Sequence, residues 1–521
     1  MTKLLADKGP NDDLDPATEG QWLDQGRSLM LQGDLVGAIA TFSAAEKKFP
    51  ASDEIRIGIA GLYWHMRQRE KAETLLVDWL TEHPGNVPAT FLLASLLVEQ
   101  GRVKAAAKSI WRMFELGRLD TDTVIQAIEV LDDYGQTKDA AAVCNAQITA
   151  GSTDPRIYAY AGMLGIQLGQ FELVRQYYSF ALAHSDQAIE WNIPIGLATI
   201  QRYKNSDHPD FKLFKEVLGH PGLSDFARMN TLFALGKAYG DIADYAQSAN
   251  YLRDANEIAS TTSSWSRKRW QRSIEARLGS RPFSFELPAP ENWTPIFIVG
   301  VPRSGTTLLA ELISRYPSVS NRGELGWLQV VATRLSGIRI NQRTSFEEAA
   351  SLYAMQLRQD DSESRWFIDK QPLNLLHIDL IMTMWPNARI IHCKRNPRDT
   401  ALSLWSQSFQ DHAHDYAYEF KNIGAVIHGC DRLMAHWKQR YSNSIRTIAY
   451  EALVSAPHSV VTELAGWLGF IAEKSPPRND ESRGISTASA WQARQPVHTQ
   501  SVGRWRDYSA YVPELMQVAE H

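Results

Sequence analysis

A fixed interval of 34 residues recurs through the first half of the chain. It relates five aligned positions, at Ala38, Ala72, Ala106, Ala140 and Val174. Pro50 and Pro84 repeat at the same interval. Around these positions apolar residues recur every three or four residues, as they do along one face of a helix. Because no single unit of this length can bury such a face alone, the interval predicts a stack of helical hairpins.

The interval is the length of a tetratricopeptide repeat, which this segment resembles in its small residues at helix crossings and its prolines near the turns. Ala246 lies 72 residues beyond Val174, where two periods would give 68. We therefore place Ala246 at the next aligned position, after an insertion of about four residues at 204–210. The pattern fades after about residue 260, and WSRKRWQRSIEARLG predicts one last basic helix.

The proline-containing stretch RPFSFELPAPENWTP then has the character of a linker between domains. A chain of 521 residues also exceeds what one hydrophobic core can support. We predict a multidomain protein with an N-terminal all-α tetratricopeptide-type solenoid at 17–280, a linker at 281–292, and a C-terminal α/β P-loop-like domain with a parallel sheet at 293–521.

Composition narrows the class of protein. The net charge of −5 argues against general binding of nucleic acid. Cys144, Cys393 and Cys430 are too far apart for a disulfide framework or a metal site, which indicates a reducing compartment. The first residues lack the apolar core of a secretory signal, and no apolar run approaches the roughly 18 residues that cross a bilayer. We expect a cytoplasmic protein with no membrane span.

The segment PIFIVGVPRSGTTLLAELISRYP predicts a buried strand, a glycine-punctuated loop and the start of a helix. This arrangement directs backbone N–H groups and the positive end of a helix dipole toward one anion. Gly300 and Gly305 have Walker A spacing, but Thr306 stands where nucleotide-hydrolysing loops carry lysine. Arg303, Ser304, Thr306 and Thr307 remain as anion-binding side chains.

The PRSGTT loop resembles the 5′-phosphosulfate-binding loop of sulfotransferases that use 3′-phosphoadenosine 5′-phosphosulfate (PAPS), and the protein-tyrosine sulfotransferases are closest in pattern. The resemblance implies that Arg303, Ser304, Gly305, Thr306 and Thr307 bind this co-substrate. It also implies a site for the ribose 3′-phosphate, formed by an arginine after a strand and a serine eight residues later. ARIIHCKRNPRDTALSLW supplies both, as Arg395 and Ser403.

Four more residues follow from the same resemblance. WFIDKQPLN matches the segment that contributes a lysine, Lys370, and GEL matches the acidic segment that contributes the catalytic carboxylate, Glu324. RQPVHTQSVGRWRDY is similar to the closing loop that contacts the nucleotide through a basic residue, Arg504, and Tyr450 stands where the family often has a tyrosine near the nucleotide. The resemblance thus implies Glu324 as general base, with Lys370 and Arg303 stabilising the leaving phosphate, and no catalytic metal.

The acceptor is not identified by these residues. The tyrosine sulfotransferases have an acidic pair where this chain has Glu324 and Leu325. A polypeptide tyrosine, a saccharide and a small metabolite all remain open. We expect the repeats to hold a polypeptide or glycan acceptor and to leave nucleotide binding to the C-terminal domain.

Two other functions also remain open. A P-loop NTPase or kinase would need a carboxylate for Mg²⁺, and Asp369 is the candidate. A non-enzymatic repeat scaffold would retain the loop without using it.

Overall fold

The structure is a computed structural model that describes residues 18–336, 343–360, 363–409, 411–470 and 497–519. The chain divides after Val130 into two compact units. The first unit consists of helical hairpins. Its helices are α1 (Glu19–Leu31), α2 (Leu35–Lys48), α3 (Asp53–His65), α4 (Arg69–Glu82), α5 (Val87–Glu99) and α6 (Val103–Glu115). A seventh, α7 (Thr121–Asp133), ends beyond the division.

Local sequence explains where several of these helices begin. The side chains of Asp34, Ser52 and Asn86 accept hydrogen bonds from backbone N–H groups in the first turns of α2, α3 and α5. Such caps satisfy amides that have no partner within the helix. Pro88 occupies the first turn of α5, where its missing N–H is not needed.

The second unit also begins with helices. Its helices before the sheet are α8 (Thr137–Thr149), α9 (Pro155–Leu168), α10 (Phe171–His184), α11 (Ile193–Thr199), α12 (Pro209–Leu218), α13 (Asp225–Asp241), α14 (Tyr245–Thr261) and α15 (Arg267–Leu278). The last of these is the predicted basic helix. The predicted all-α, tetratricopeptide-type repeat architecture is therefore confirmed.

The aligned positions are the fourth residues of α2, α4, α6, α8 and α10, and all five are buried. The prediction for α14 is wrong by two residues. Its fourth residue is Ser248, which is fully buried, whereas Ala246 is only partly buried. Ser248 lies 74 residues beyond Val174, so the insertion relative to two 34-residue periods is six residues and not four.

A five-stranded parallel sheet follows, in the order β2-β3-β1-β4-β5. The strands are β1 (Thr294–Gly300), β2 (Val319–Asn321), β3 (Trp366–Asp369), β4 (Arg389–Lys394) and β5 (Ile445–Ala449). The helices of this part are α16 (Thr306–Ile313), α17 (Trp327–Ser336), α18 (Arg343–Arg358), α19 (Ile378–Met384), α20 (Pro397–Trp405), α21 (Phe420–Arg440), α22 (Tyr450–Ser455), α23 (Pro457–Leu468) and α24 (Trp505–Tyr508). The predicted α/β class with a parallel sheet is confirmed.

The central strand β1 is buried on both faces, which explains its unbroken apolar sequence. Phe297 and Val299 face one hydrophobic cluster, and Ile296 and Ile298 face another. Because the carboxyl ends of neighbouring parallel strands share one edge of the sheet, the loops after β1 and β4 are brought side by side.

The larger of these clusters extends beyond the sheet. It includes Phe233 on α13 and Leu252 on α14, together with Trp405 and Tyr508 from the C-terminal part of the chain. Residues 281–292 form no helix or strand, yet Leu287 is buried and its N–H donates to the Thr383 carbonyl at 2.9 Å. The domain limits 17–280, 281–292 and 293–521 remain a prediction. Residues 17 and 521 lie outside the described ranges.

Within the described ranges, no helix combines the length and the apolar character that crossing a membrane requires.

The buried aligned positions predict a steric limit. Ala106 is fully buried in α6, so Ala106→Leu should lower the free energy of unfolding by about 1–3 kcal/mol, because extra methylene groups cannot be accommodated in a packed crossing. Lys108→Leu places the same side chain on the exposed face of the same helix and should have little effect. Thermal unfolding of both variants measures the difference. Equal unfolding temperatures would contradict the assignment of Ala106 to a helix crossing.

Candidate active site

The glycine loop lies between β1 and α16, as predicted. Gly305 adopts a φ of +98°, and a Cβ atom there would lie 2.5 Å from Cδ2 of Tyr450. Both the backbone conformation and the close approach of the ring therefore require glycine. Arg303 also has a positive φ, of 73°, which is a strained conformation for a residue with a side chain.

The loop presents groups suited to an anion. Gly305 is the N-cap of α16 and supplies no side-chain hydrogen bond to its first turn, where Thr306 and Thr307 stand. The first amides of a helix and its dipole favour negative charge at this position. Ser304 is buried, and its hydroxyl has no hydrogen-bond partner among the described residues. Such a buried polar group is unfavourable unless a ligand satisfies it.

The two predicted binding clusters meet directly. Nε of Arg303 donates to the hydroxyl of Ser403 at 3.0 Å, and Nη1 of Arg395 donates to the carbonyl of Arg303 at 3.1 Å. Burial lowers the pKa of Arg303 to about 10, and the nearby charge of Arg395 contributes. The arginine still carries its positive charge at neutral pH. The loop after β1 and the strand-helix pair β4–α20 are therefore in direct contact.

Arg395 is fixed by a second set of contacts. Its guanidinium lies over the ring of Tyr450 with 4.6 Å between its Cζ and the ring centroid, and Nη2 donates to the Ser501 carbonyl at 2.6 Å. Burial lowers the pKa of Arg395, and the positive charge of Arg504 adds to this effect. The structure thus brings together Arg303, Ser403, Arg395, Tyr450 and the closing segment, by which we mean residues 497–519.

The closing segment is held by a residue that the sequence analysis did not identify. The buried carboxylate of Asp399 accepts hydrogen bonds from the N–H of Gly503 at 2.6 Å and of Trp505 at 3.0 Å. Arg504 stands between these two amides, so Asp399 fixes the backbone that carries it. Residues 494–496, at the start of the predicted closing loop, lie outside the described ranges.

Lys370 and Glu324 form an ion pair, and the charge of Glu324 acts on nearby Arg303. The lysine side chain is only 2% exposed, whereas the glutamate side chain is 35% exposed. A charged ammonium so deeply buried requires a close carboxylate or another anion to offset its loss of hydration. The alternative partner for Lys370, the adjacent Asp369, is engaged elsewhere.

Asp369 fastens the backbone on both sides of this ion pair. Its fully buried carboxylate accepts from the N–H of Gln371 at 2.9 Å, from the N–H of Leu325 at 3.3 Å, from the side-chain amide of Asn374 at 2.7 Å, and from the hydroxyl of Tyr353. Gln371 follows Lys370 and Leu325 follows Glu324, so the carboxylate of Asp369 positions the backbone of both members of the ion pair.

In the described parts of the chain, no three His, Cys, Asp or Glu side chains are grouped to hold a metal ion.

Burial gives Asp369 a pH-dependent effect on stability. It raises the pKa of Asp369 to about 6, whereas the unfolded chain loses this proton near pH 4. The folded state therefore binds the proton more tightly, and its stability decreases as the pH rises from about 4 to about 6. Asp369→Asn cannot titrate. We therefore compare the free energy of unfolding of the native chain with that of Asp369→Asn. The difference should fall by about 1.4 kcal/mol per pH unit between about pH 4 and about pH 6, and then level off. Parallel pH profiles in thermal unfolding would contradict this.

Comparison with known proteins agrees with this architecture. Residues 295–473 match the model of a sulfotransferase family, and residues 29–80 match that of the tetratricopeptide repeat. An uncharacterised protein of Aquifex aeolicus is 23% identical over 99% of this chain and 70% of its own length. A putative protein-tyrosine sulfotransferase of Caenorhabditis briggsae is 21% identical over 41% of this chain and 80% of its own length. The sulfotransferase domain of the Synechococcus PCC 7002 olefin synthase, at 20% identity, covers 45% of this chain and 96% of its own, with a TM-score of 0.32. The chain thus joins a segment that matches the tetratricopeptide repeat to a segment that matches a sulfotransferase family.

Proposed function

We propose that the C-terminal domain transfers a sulfuryl group from PAPS to an acceptor hydroxyl. The observation that carries this proposal is the contact of Arg303 with Ser403 and Arg395. These residues were assigned to opposite ends of one nucleotide, and they lie close enough for a single nucleotide to contact them all.

The residues present fit such a nucleotide. The 5′-phosphosulfate suits the start of α16, where the hydroxyl of Ser304 and the first helical amides point to an anion. The 3′-phosphate suits Arg395, Ser403 and Arg504, and Nε of Arg395 has no hydrogen-bond partner among the described residues. Tyr450 restricts the space beside the loop at Gly305.

The chemistry assigns a separate task to each side chain. As the acceptor oxygen forms its bond to sulfur, Glu324 takes the acceptor proton, and the bond between sulfur and the 5′-phosphate oxygen breaks. Lys370 and Arg303 stabilise the negative charge that develops on the departing phosphate. The ion pair between Lys370 and Glu324 keeps both groups in one place before the acceptor enters.

Specific contacts weigh against the two alternatives. A nucleotide hydrolase would need a lysine at position 306, where this chain has threonine. It would also need a carboxylate at the end of β3 to bind Mg²⁺, but Asp369 already accepts four hydrogen bonds from protein groups. A scaffold without a ligand would gain nothing from burying the charges of Arg303, Arg395 and Lys370, which cost free energy to remove from water.

We further propose that the acceptor is a polypeptide or glycan held by the repeats, since stacked repeats offer extended concave surfaces. Cys144, Cys393 and Cys430 are all free and buried, which supports a cytoplasmic setting. We propose no nucleic-acid partner.

Nucleotide preference tests the donor. Adenosine 3′,5′-bisphosphate should bind more tightly than ATP·Mg²⁺ in isothermal titration calorimetry with the full chain. Arg395→Ala should weaken the bisphosphate about ten- to hundredfold, because it removes charge-assisted hydrogen bonds. Arg446→Ala, an exposed arginine on the neighbouring β5, serves as control. Preference for ATP·Mg²⁺ would favour the nucleotide hydrolase instead.

The catalytic assignments are tested with ³⁵S-labelled donor and a fractionated lysate as the source of acceptor. Glu324→Gln should lower the transfer rate about 10²- to 10⁴-fold, because it removes the proton acceptor and also the carboxylate that pairs with Lys370. Lys370→Met should lower the rate roughly a hundredfold. Glu347→Gln, on the exposed face of α18, should transfer label normally. Normal transfer by Glu324→Gln would exclude this glutamate as the base.

A further inference from the structure

The closing segment, residues 497–519, packs against the last repeat helices. The hydroxyl of Tyr508 and that of Ser248 on α14 are 2.9 Å apart, and both residues are buried. Ser248 donates its only hydroxyl proton to the Gly236 carbonyl at 2.6 Å. Tyr508 must therefore donate to Ser248, and its oxygen is left to accept from Nη2 of Arg504 at 3.3 Å. A directed chain of hydrogen bonds runs from Arg504 into the repeat helices.

Shape reinforces this connection. Gly240 on α13 faces the same two side chains. A Cβ atom there would lie 2.5 Å from the Tyr508 hydroxyl and 3.2 Å from Nη2 of Arg504. The φ of Gly240 is not positive, so its backbone does not require glycine. The closeness of Tyr508 and Arg504 is what leaves no space for a side chain at this position.

Further contacts hold the segment to the repeats on either side of Arg504. The side chain of Arg202, in the loop after α11, donates to that of Gln500. Arg253 on α14 donates to the Tyr511 carbonyl at 3.0 Å. Asp399 fixes the backbone of Arg504, and the Arg504 side chain donates to Tyr508, whose hydroxyl contacts Ser248 on α14.

We infer that α13 and α14 complete the nucleotide site by positioning Arg504, with Gly240, Ser248 and Tyr508 as positioning residues. This inference rests on the proposed function, because Arg504 is assigned to adenosine 3′,5′-bisphosphate. Affinity for the nucleotide then depends on the repeat helices as well as on the sheet domain. The expectation that the repeats serve the acceptor alone does not hold for this last hairpin.

The test uses the full chain and isothermal titration with adenosine 3′,5′-bisphosphate. Gly240→Ala should weaken binding about tenfold, since the added methyl displaces the tyrosine hydroxyl and the guanidinium that together form charge-assisted contacts. Gly61→Ala is the matched control, because it makes the same change on repeat helix α3 with no atom within 4 Å of the new Cβ. It should bind as the native chain does.

A double-mutant cycle separates positioning from general support. If Gly240 acts through Arg504, Gly240→Ala should add no further loss of affinity to Arg504→Ala. An effect that simply adds would indicate general destabilisation and overturn the inference. Tyr508→Phe, which removes only the linking hydroxyl, should behave as Gly240→Ala does, and it keeps the test decisive if Gly240→Ala folds poorly. Tyr511→Phe removes an exposed hydroxyl from the same segment and is its control.

The outcomes distinguish the two proposals. If the native chain does not bind the bisphosphate, the proposed function fails and the inference fails with it. If the native chain binds, Arg504→Ala weakens binding, and Gly240→Ala and Tyr508→Phe bind normally, the inference alone is wrong. The inference is supported if Gly240→Ala and Tyr508→Phe both weaken binding of the bisphosphate and their controls do not. The same two substitutions should cause no further loss when they are added to Arg504→Ala.

Discussion

Two partly buried guanidinium groups, those of Arg303 and Arg395, lie close together at the carboxyl edge of the sheet, and the arrangement of the site depends on this placement. The positive charge of one lowers the pKa of the other, so their proximity is unfavourable unless negative charge offsets it. Parallel pairing of β1 with β4 brings the two loops together, and Ser403, Tyr450 and the closing segment hold the side chains in place. A ligand with two phosphate groups would relieve the repulsion that the fold imposes.

The elements of the fold that could be predicted from the sequence are those whose residues are consecutive or regularly spaced. The apolar run of β1, the glycine loop and the start of α16 are consecutive in the chain, and eight residues separate Arg395 from Ser403 along one strand-helix unit. The repeat interval likewise needed only regular spacing. The position predicted in α14 is wrong by two residues, because the lengths of the loops after α11 do not follow the repeat interval. Ser248, not Ala246, therefore occupies the crossing.

The residues that were missed act across long separations in the chain. Asp399 resembles an ordinary acidic residue in the first turn of α20, and its partners lie more than 100 positions away. The Ser248 to Tyr508 contact joins residues 260 positions apart. Tertiary packing decides such pairs, and a single sequence carries no local sign of them. The same packing makes the last hairpin part of the transferase core, although its helices have the pattern of a separate repeat domain.

The left-handed backbone of Arg303 has a consequence for the evolution of this loop. Glycine adopts a φ of 73° without steric penalty, so a loop selected only for stability would favour glycine at this position. The chain keeps instead a long side chain on a strained backbone, and buries its charge as well. Substitutions that make this protein more heat-resistant are therefore expected to accumulate away from the loop, because replacing Arg303 would remove the side chain that we propose binds the anion.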